Sequence, residues 1–156
     1  MSMLTEQLQE LFIQRKWTLA IAESCTGGLI CSKLTRRAGS SAYFLGGVVS
    51  YANSVKSKSL QVPAEMIEKL GAVSGPVALA MAQNVRKSLG SSWSIGVTGI
   101  AGPTGGNAHK PVGTVWFAIS GPECEVTDHQ VFKGDREKVQ DQAVEHALKL
   151  LLQNAK

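Results

Sequence analysis

The residues best suited to chemistry lie in Ala22-Glu23-Ser24-Cys25-Thr26-Gly27-Gly28, where an apolar run (Trp17 to Ala22) meets the start of a helix at Leu29. In open α/β sheets the ligand site lies beyond the carboxyl ends of the parallel strands. A hydroxyl or thiol placed there meets unpaired backbone N–H groups and the positive end of a helix dipole, which stabilise an oxyanion or a phosphate. Gly27 and Gly28 admit a close approach of backbone to ligand. Ser24 is one candidate nucleophile. Cys25 competes with it, because a helix N-terminus lowers a thiol pKa, although no histidine is placed beside it. A plainer role stays open, in which Ser24 or Thr26 only caps the helix. The segment is not a G-x-S-x-G elbow, since glycines are absent around Ser24.

A second group comes after the next apolar run, in Tyr51-Ala52-Asn53-Ser54-Val55-Lys56-Ser57-Lys58. A lysine serves as base to a serine only when burial or a neighbouring cation brings its pKa toward neutrality. Lys58 would be such a cation for Lys56, although two lysines so spaced also suit a solvated surface. No S-x-x-K pattern occurs, so any Ser–Lys pair must be assembled by the fold. The third group is the loop Thr98-Gly99-Ile100-Ala101-Gly102-Pro103-Thr104-Gly105-Gly106. Its glycines can turn successive N–H groups inward as an anion nest, or the loop is simply a long connection. It lacks the G-K-[ST] of a phosphate-binding P-loop. Arg136, in the first turn of a final helix, opposes the helix dipole, and an anionic ligand would offset that cost. Solvation beside Asp135 and Glu137 is its other reading.

These groups need elements to position them. Leu4, Leu8, Leu11 and Phe12 form a helical stripe. Strands are expected at Trp17–Ala22, Gly46–Tyr51, Trp93–Thr98, Thr114–Ser120 and Val126–Phe132. Helices are expected over Leu29–Leu34, over Pro63–Leu70, from an N-cap at Ser74 to Gly90, and from a cap at Asp135. Helices separate the first three strands, which should therefore be parallel with right-handed crossovers. No helix fits before or after the fourth strand, so it should run antiparallel. The expectation is a three-layer α/β/α domain over residues 1–156, on a mixed, mostly parallel five-stranded sheet.

Composition narrows the function. The 156 residues are 44% hydrophobic and 18% charged, normal for a globular domain. Sixteen Lys and Arg against twelve Asp and Glu give +4, spread along the chain, which favours anionic small molecules over nucleic acid. Cys25, Cys31 and Cys124 form no C-x-x-C pair, and His109, His129 and His146 lie apart. Neither a disulfide framework nor a metal site is expected. The first twelve residues carry Glu and Gln where a signal peptide needs an apolar stretch, and no run is long enough for a membrane span, so a cytoplasmic protein is expected.

AESCTGG (Ala22 to Gly28), Tyr51 to Lys56, TGIAGPTGG (Thr98 to Gly106), KPVGTVWFA (Lys110 to Ala118) and GDR (Gly134 to Arg136) occur in one order. Together they resemble the C-terminal domain of the competence/damage-inducible protein A family, from about Leu4 to Leu152. The resemblance implies a metal-independent Ser/Lys amidohydrolase, without a cofactor. Its reaction would convert nicotinamide mononucleotide to nicotinate mononucleotide and ammonia. Ser24, Lys56 and Tyr51 match the family's catalytic motif positions. Cys25, Thr26, Gly27, Gly28, Thr98, Gly99, Gly102, Gly105 and Arg136 are the corresponding substrate-binding candidates. Thr104 departs from the acidic residue common in related G-P-[DE]-G-G loops. The resemblance also implies a homo-oligomer with a pyridine nucleotide substrate. Two other readings stand beside it, a non-catalytic nucleotide-binding regulatory module and a DNA-associated competence factor.

Overall fold

A computed structural model describes residues 2–156. Its elements run α1 (Ser2–Arg15), β1 (Leu19–Glu23), α2 (Leu29–Thr35), β2 (Phe44–Val49), α3 (Asn53–Leu60), α4 (Ala64–Leu70), α5 (Gly75–Leu89), β3 (Trp93–Gly99), β4 (Thr114–Gly121), β5 (Cys124–Val131) and α6 (Arg136–Asn154). The sheet order is β2-β1-β3-β4-β5. β1 pairs parallel with β2 and β3, while β4 pairs antiparallel with both β3 and β5. The expected mixed sheet with an antiparallel fourth strand is therefore present.

Two faces of the sheet are covered differently. On one, Leu8 and Phe12 of α1, Ile30 and Leu34 of α2, and Ala147 and Leu148 of α6 pack over Ile21, Ile95, Val97 and Phe117. On the other, Leu60, Ile67, Met81 and Val85 from α3, α4 and α5 cover Ala20 and Ala22, while Ala78 and Ala82 of α5 lie over Ala118. The small residues let α5 come down onto the sheet. A Cβ at Gly96 would lie 2.3 Å from the Ala78 carbonyl oxygen, so only glycine fits this crossing. Ser94 Oγ uses the same closeness to donate to the Ala82 carbonyl at 2.6 Å.

Element ends move for identifiable reasons. The expected strand at Trp17 begins at Leu19, because Trp17 N–H bonds to the Phe12 carbonyl and closes the end of α1. β2 runs from Phe44 to Val49 rather than from Gly46 to Tyr51, since the chain turns into α3 at Ala52. β5 starts earlier, at Cys124, after a two-residue turn at Pro122 and Glu123. Ser74 has the extended backbone of an N-cap, but its hydroxyl donates back to the Gly71 carbonyl and accepts no N–H from the helix. Asp135 does cap α6, accepting from the Lys138 N–H. Helix α3 is an element that the apolar pattern does not predict. Its sequence, NSVKSKSL, buries only Lys56 and Leu60, so no apolar stripe marks it.

Candidate active site

β1 is buried along its whole length and delivers Glu23 and Ser24 at its carboxyl end. The Glu23 side chain turns back under α2. Its Oε1 accepts from the N–H groups of Gly28 (3.2 Å) and Ile30 (3.1 Å), and its Oε2 from that of Cys31 (3.0 Å). The helix-start donors expected to meet a ligand are thus taken by the chain's own carboxylate. Neither Ser24 nor Thr26 caps α2; Gly28 stands at the N-cap with φ +100°, a left-handed conformation that favours glycine. Gly27 N–H returns to the Ser24 carbonyl and Leu29 N–H to that of Thr26. The N–H groups of Cys25 and Thr26 have no carbonyl partner among the described residues and remain as donors.

α3 then places Lys56 against this turn. Lys56 is 1% exposed, and its Nζ lies 2.9 Å from Ser24 Oγ, 2.8 Å from the Ser50 carbonyl and 3.2 Å from the Tyr51 carbonyl. No carboxylate lies within 4.0 Å of it among the described residues. Burial, unrelieved by an anion, pushes the ammonium below its ordinary 10.5. A neutral lysine amine has two N–H groups and one lone pair. The carbonyls of Ser50 and Tyr51 can occupy both N–H groups, which leaves the lone pair facing the Ser24 hydroxyl. Lys58 is exposed, so burial replaces the neighbouring cation weighed from the sequence. Burial pushes the Cys25 thiol up to about 12, which keeps it protonated at neutral pH. The lowered thiol pKa weighed for Cys25 from its place before α2 is therefore not found.

A cleft of about 230 Å³ opens over this pair. Ser24, Cys25 and Lys56 share its lining with Thr98 and Gly99 at the end of β3, Tyr51 after β2, and Arg136 at the start of α6. Arg136 donates from Nη1 to the Gly102 carbonyl at 2.6 Å and from Nη2 to the Tyr51 hydroxyl at 2.8 Å. It forms no ion pair with Asp135 or Glu137. Gly99 is required for close approach, since a Cβ there would lie 3.0 Å from Cys25 Sγ and 2.8 Å from Val115. Gly102 reaches the site only through its carbonyl on Arg136. Thr26, Gly27, Gly28 and Gly105 lie outside the lining.

Ala72 and Val73 escaped sequence reading altogether, while Asn53 and Ala101 lay inside the candidate segments without being singled out. Ala72 and Val73 arrive because Thr98 Oγ1 donates to the Ala72 carbonyl at 2.9 Å, holding the α4–α5 connection against β3. Small apolar residues in a loop carry no chemical signal. Asn53 was legible in principle, two residues beyond Tyr51 and three before Lys56. Among the described residues, no three His, Cys, Asp or Glu side chains gather as a metal-holding group. Among the same residues no helix is long and apolar enough to cross a membrane.

Residues 1–155 match the family described as the CinA C-terminal domain. A CinA-like protein of Desulfotalea psychrophila is 51% identical over 142 residues, covering 91% of this chain and 34% of its own length. One from Leptospira biflexa is 45% identical over 152 residues, covering 97% of this chain and 36% of its own. The chain thus spans about a third of the length of the curated relatives it matches. A competence/damage-inducible protein of Agrobacterium tumefaciens superposes with TM-score 0.96 at 35% identity, over 98% of this chain and 94% of that one. A CinA-superfamily protein of Escherichia coli gives 0.93 at 37% identity, over 96% and 87%. Site motifs, strand order and whole-chain similarity agree, and the chain belongs to the CinA C-terminal domain family.

Proposed function

We propose that this protein hydrolyses the carboxamide of nicotinamide mononucleotide to nicotinate mononucleotide and ammonia, by a Ser24/Lys56 mechanism that uses no metal. The observation that carries the reading is the 2.9 Å contact between Ser24 Oγ and a buried lysine without an acidic partner. An ammonium paired with a carboxylate could not act as base near neutrality; one held only by carbonyls in a buried site gives up its proton more readily. Ser24 Oγ attacks the carboxamide carbon while Lys56 Nζ accepts the hydroxyl proton. The carbonyl π electrons move to oxygen, and the N–H of Cys25, which lines the cleft and has no carbonyl partner, is the donor available to that oxyanion, a contribution of about 2.7–4 kcal/mol per donor in studied hydrolases. Collapse breaks the C–N bond, and Lys56 returns its proton to the leaving ammonia. Water, deprotonated by the same lysine, then hydrolyses the acyl-serine and restores Ser24.

A cleft of about 230 Å³ takes the pyridine ring and its carboxamide, with ribose and phosphate toward the mouth. There Arg136, bonded only to neutral groups, supplies the charge for the phosphate. Tyr51, held by Arg136, lies on the same rim and orients the nucleotide. The test is ammonia release from nicotinamide mononucleotide by purified protein without added metal. Stoichiometric ammonia and nicotinate mononucleotide are expected. A folded protein that binds the nucleotide and releases no ammonia would instead be a nucleotide-binding module.

A further inference from the structure

Glu23 is the one fully buried carboxylate beside the Ser24–Lys56 pair, and the proposed chemistry leaves it unused. It is 0% exposed and does not line the cleft, so it cannot touch a substrate. It has no cationic partner within 4.0 Å among the described residues. A buried anion is tolerated only where other groups solvate it, and here three backbone N–H groups do so. Those donors belong to Gly28, Ile30 and Cys31, beyond the turn that begins at Ser24. The side chain therefore spans the turn like a chord and fixes where Ser24 leaves β1.

The main chain of the same residue reaches the other partner. The Glu23 carbonyl accepts from Ser50 N–H at 2.7 Å and from Ser50 Oγ at 3.2 Å. The Ser50 carbonyl in turn accepts from Lys56 Nζ at 2.8 Å. We infer that Glu23 is a positioning residue that sets the Ser24–Lys56 contact from both sides, its carboxylate holding the nucleophile's turn and its carbonyl holding the residue that orients the base. This rests on the Ser24/Lys56 reading above. A local cap with no catalytic consequence would hold the helix without controlling serine reactivity, and that difference is measurable.

Glu23→Gln keeps the size of the side chain but offers one acceptor oxygen, and its amide would face an N–H donor. The experiment reads Ser24 directly, as the rate of sulfonylation by phenylmethylsulfonyl fluoride followed by intact mass. In that step an O–S bond forms, fluoride leaves, and the serine proton passes to Lys56. A modest displacement of a reacting group costs up to about a hundredfold, so a fall of about tenfold or more is expected while the near-ultraviolet spectrum keeps its native shape. Where nicotinamide mononucleotide is hydrolysed, kcat should fall with KM changed less than about threefold, because the cleft lining is untouched. Labelling within about twofold of the parent in a folded Glu23→Gln protein overturns the proposal. If that variant does not fold, Cys31→Pro decides. Proline is tolerated in a helix's first turn and removes one of the three donors while the carboxylate stays. A slower label supports the role and an unchanged one overturns it. Wild-type protein that labels at Ser24 but releases no ammonia would refute the proposed substrate, leaving the Glu23 result to stand by itself.

Discussion

β1 and β3 lie side by side, parallel, and both run out at the same edge of the sheet into glycine-containing loops. The two loops are held in different ways. After β1, Ser24, Cys25 and Thr26 are buried, and Glu23 pins the turn with three N–H bonds. After β3, residues 103–109 are exposed, and the loop is tied mainly at its base, where Ile100 and Thr114 pair, and at Lys110, whose Nζ donates to the Leu70 carbonyl. Position at a strand's carboxyl end marks where a ligand can lie. Burial and side-chain anchoring decide which of the two loops can hold a reacting atom in a fixed place. The buried, anchored turn suits the proposed nucleophile, and the exposed loop suits the variable outer part of a ligand.

That contrast is broken most sharply at the proposed nucleophile. Ser24→Ala should lower kcat for nicotinamide mononucleotide by about 10⁴-fold or more, the scale of removing a covalent nucleophile. Cys25→Ala, which touches a thiol held protonated, should keep most of the activity. Steady-state ammonia release on both variants decides it, and the reverse pattern would give the role to Cys25. Lys56→Met should cost about 10²–10⁴-fold on any amide substrate accepted, as loss of a general base does.

The lysine also sharpens the comparison through pH. Activity should rise as Lys56 loses its proton, with the acid limb of kcat/KM centred below 10.5. Between its lowered folded value and 10.5 the unfolded chain binds more protons than the native state. Stability should therefore climb with pH across that window. Urea titrations at increasing alkaline pH should show this slope, and Lys56→Met should flatten it. No change in slope would mean that Lys56 is not depressed in the folded protein.

Effects at the rim should be smaller. Arg136→Ala should reduce kcat/KM for nicotinamide mononucleotide by roughly 10- to 150-fold, the worth of a charge-assisted hydrogen bond. It should matter much less for nicotinamide riboside, which has no phosphate. Equal losses on both substrates would assign Arg136 a structural role through Tyr51 and Gly102. The smallest effect expected is none at all, from prolonged dialysis against a chelator. Activity lost there and restored by one divalent ion would end the Ser/Lys mechanism.

Much of the architecture was legible because its signals are local. Apolar periodicity marked α1, α5 and α6, and the missing helices around β4 implied its antiparallel direction. Strand ends were less legible, since Trp17 looks like a strand residue by type, yet its N–H bonds to the Phe12 carbonyl and closes α1. The site was legible in part for a related reason. Ser24 stands at a readable strand-to-helix boundary, whereas Lys56 stands in a polar octapeptide that reads as surface. Glu23 looks like an ordinary polar residue at a strand end until α2 folds back over it.

By itself the amino-acid sequence determined the residue types available for chemistry, the alternation of strands and helices, and the glycines that permit left-handed turns and close crossings such as Gly96. These arise from side-chain size, backbone freedom and periodicity, which act over a few residues. Only the tertiary structure decided that Lys56 is buried and Lys58 is not, that the helix-start donors serve Glu23, and that Arg136 meets Tyr51 across 85 residues of chain. Desolvation and hydrogen-bond geometry depend on what packs from distant elements, and no local pattern carries that information.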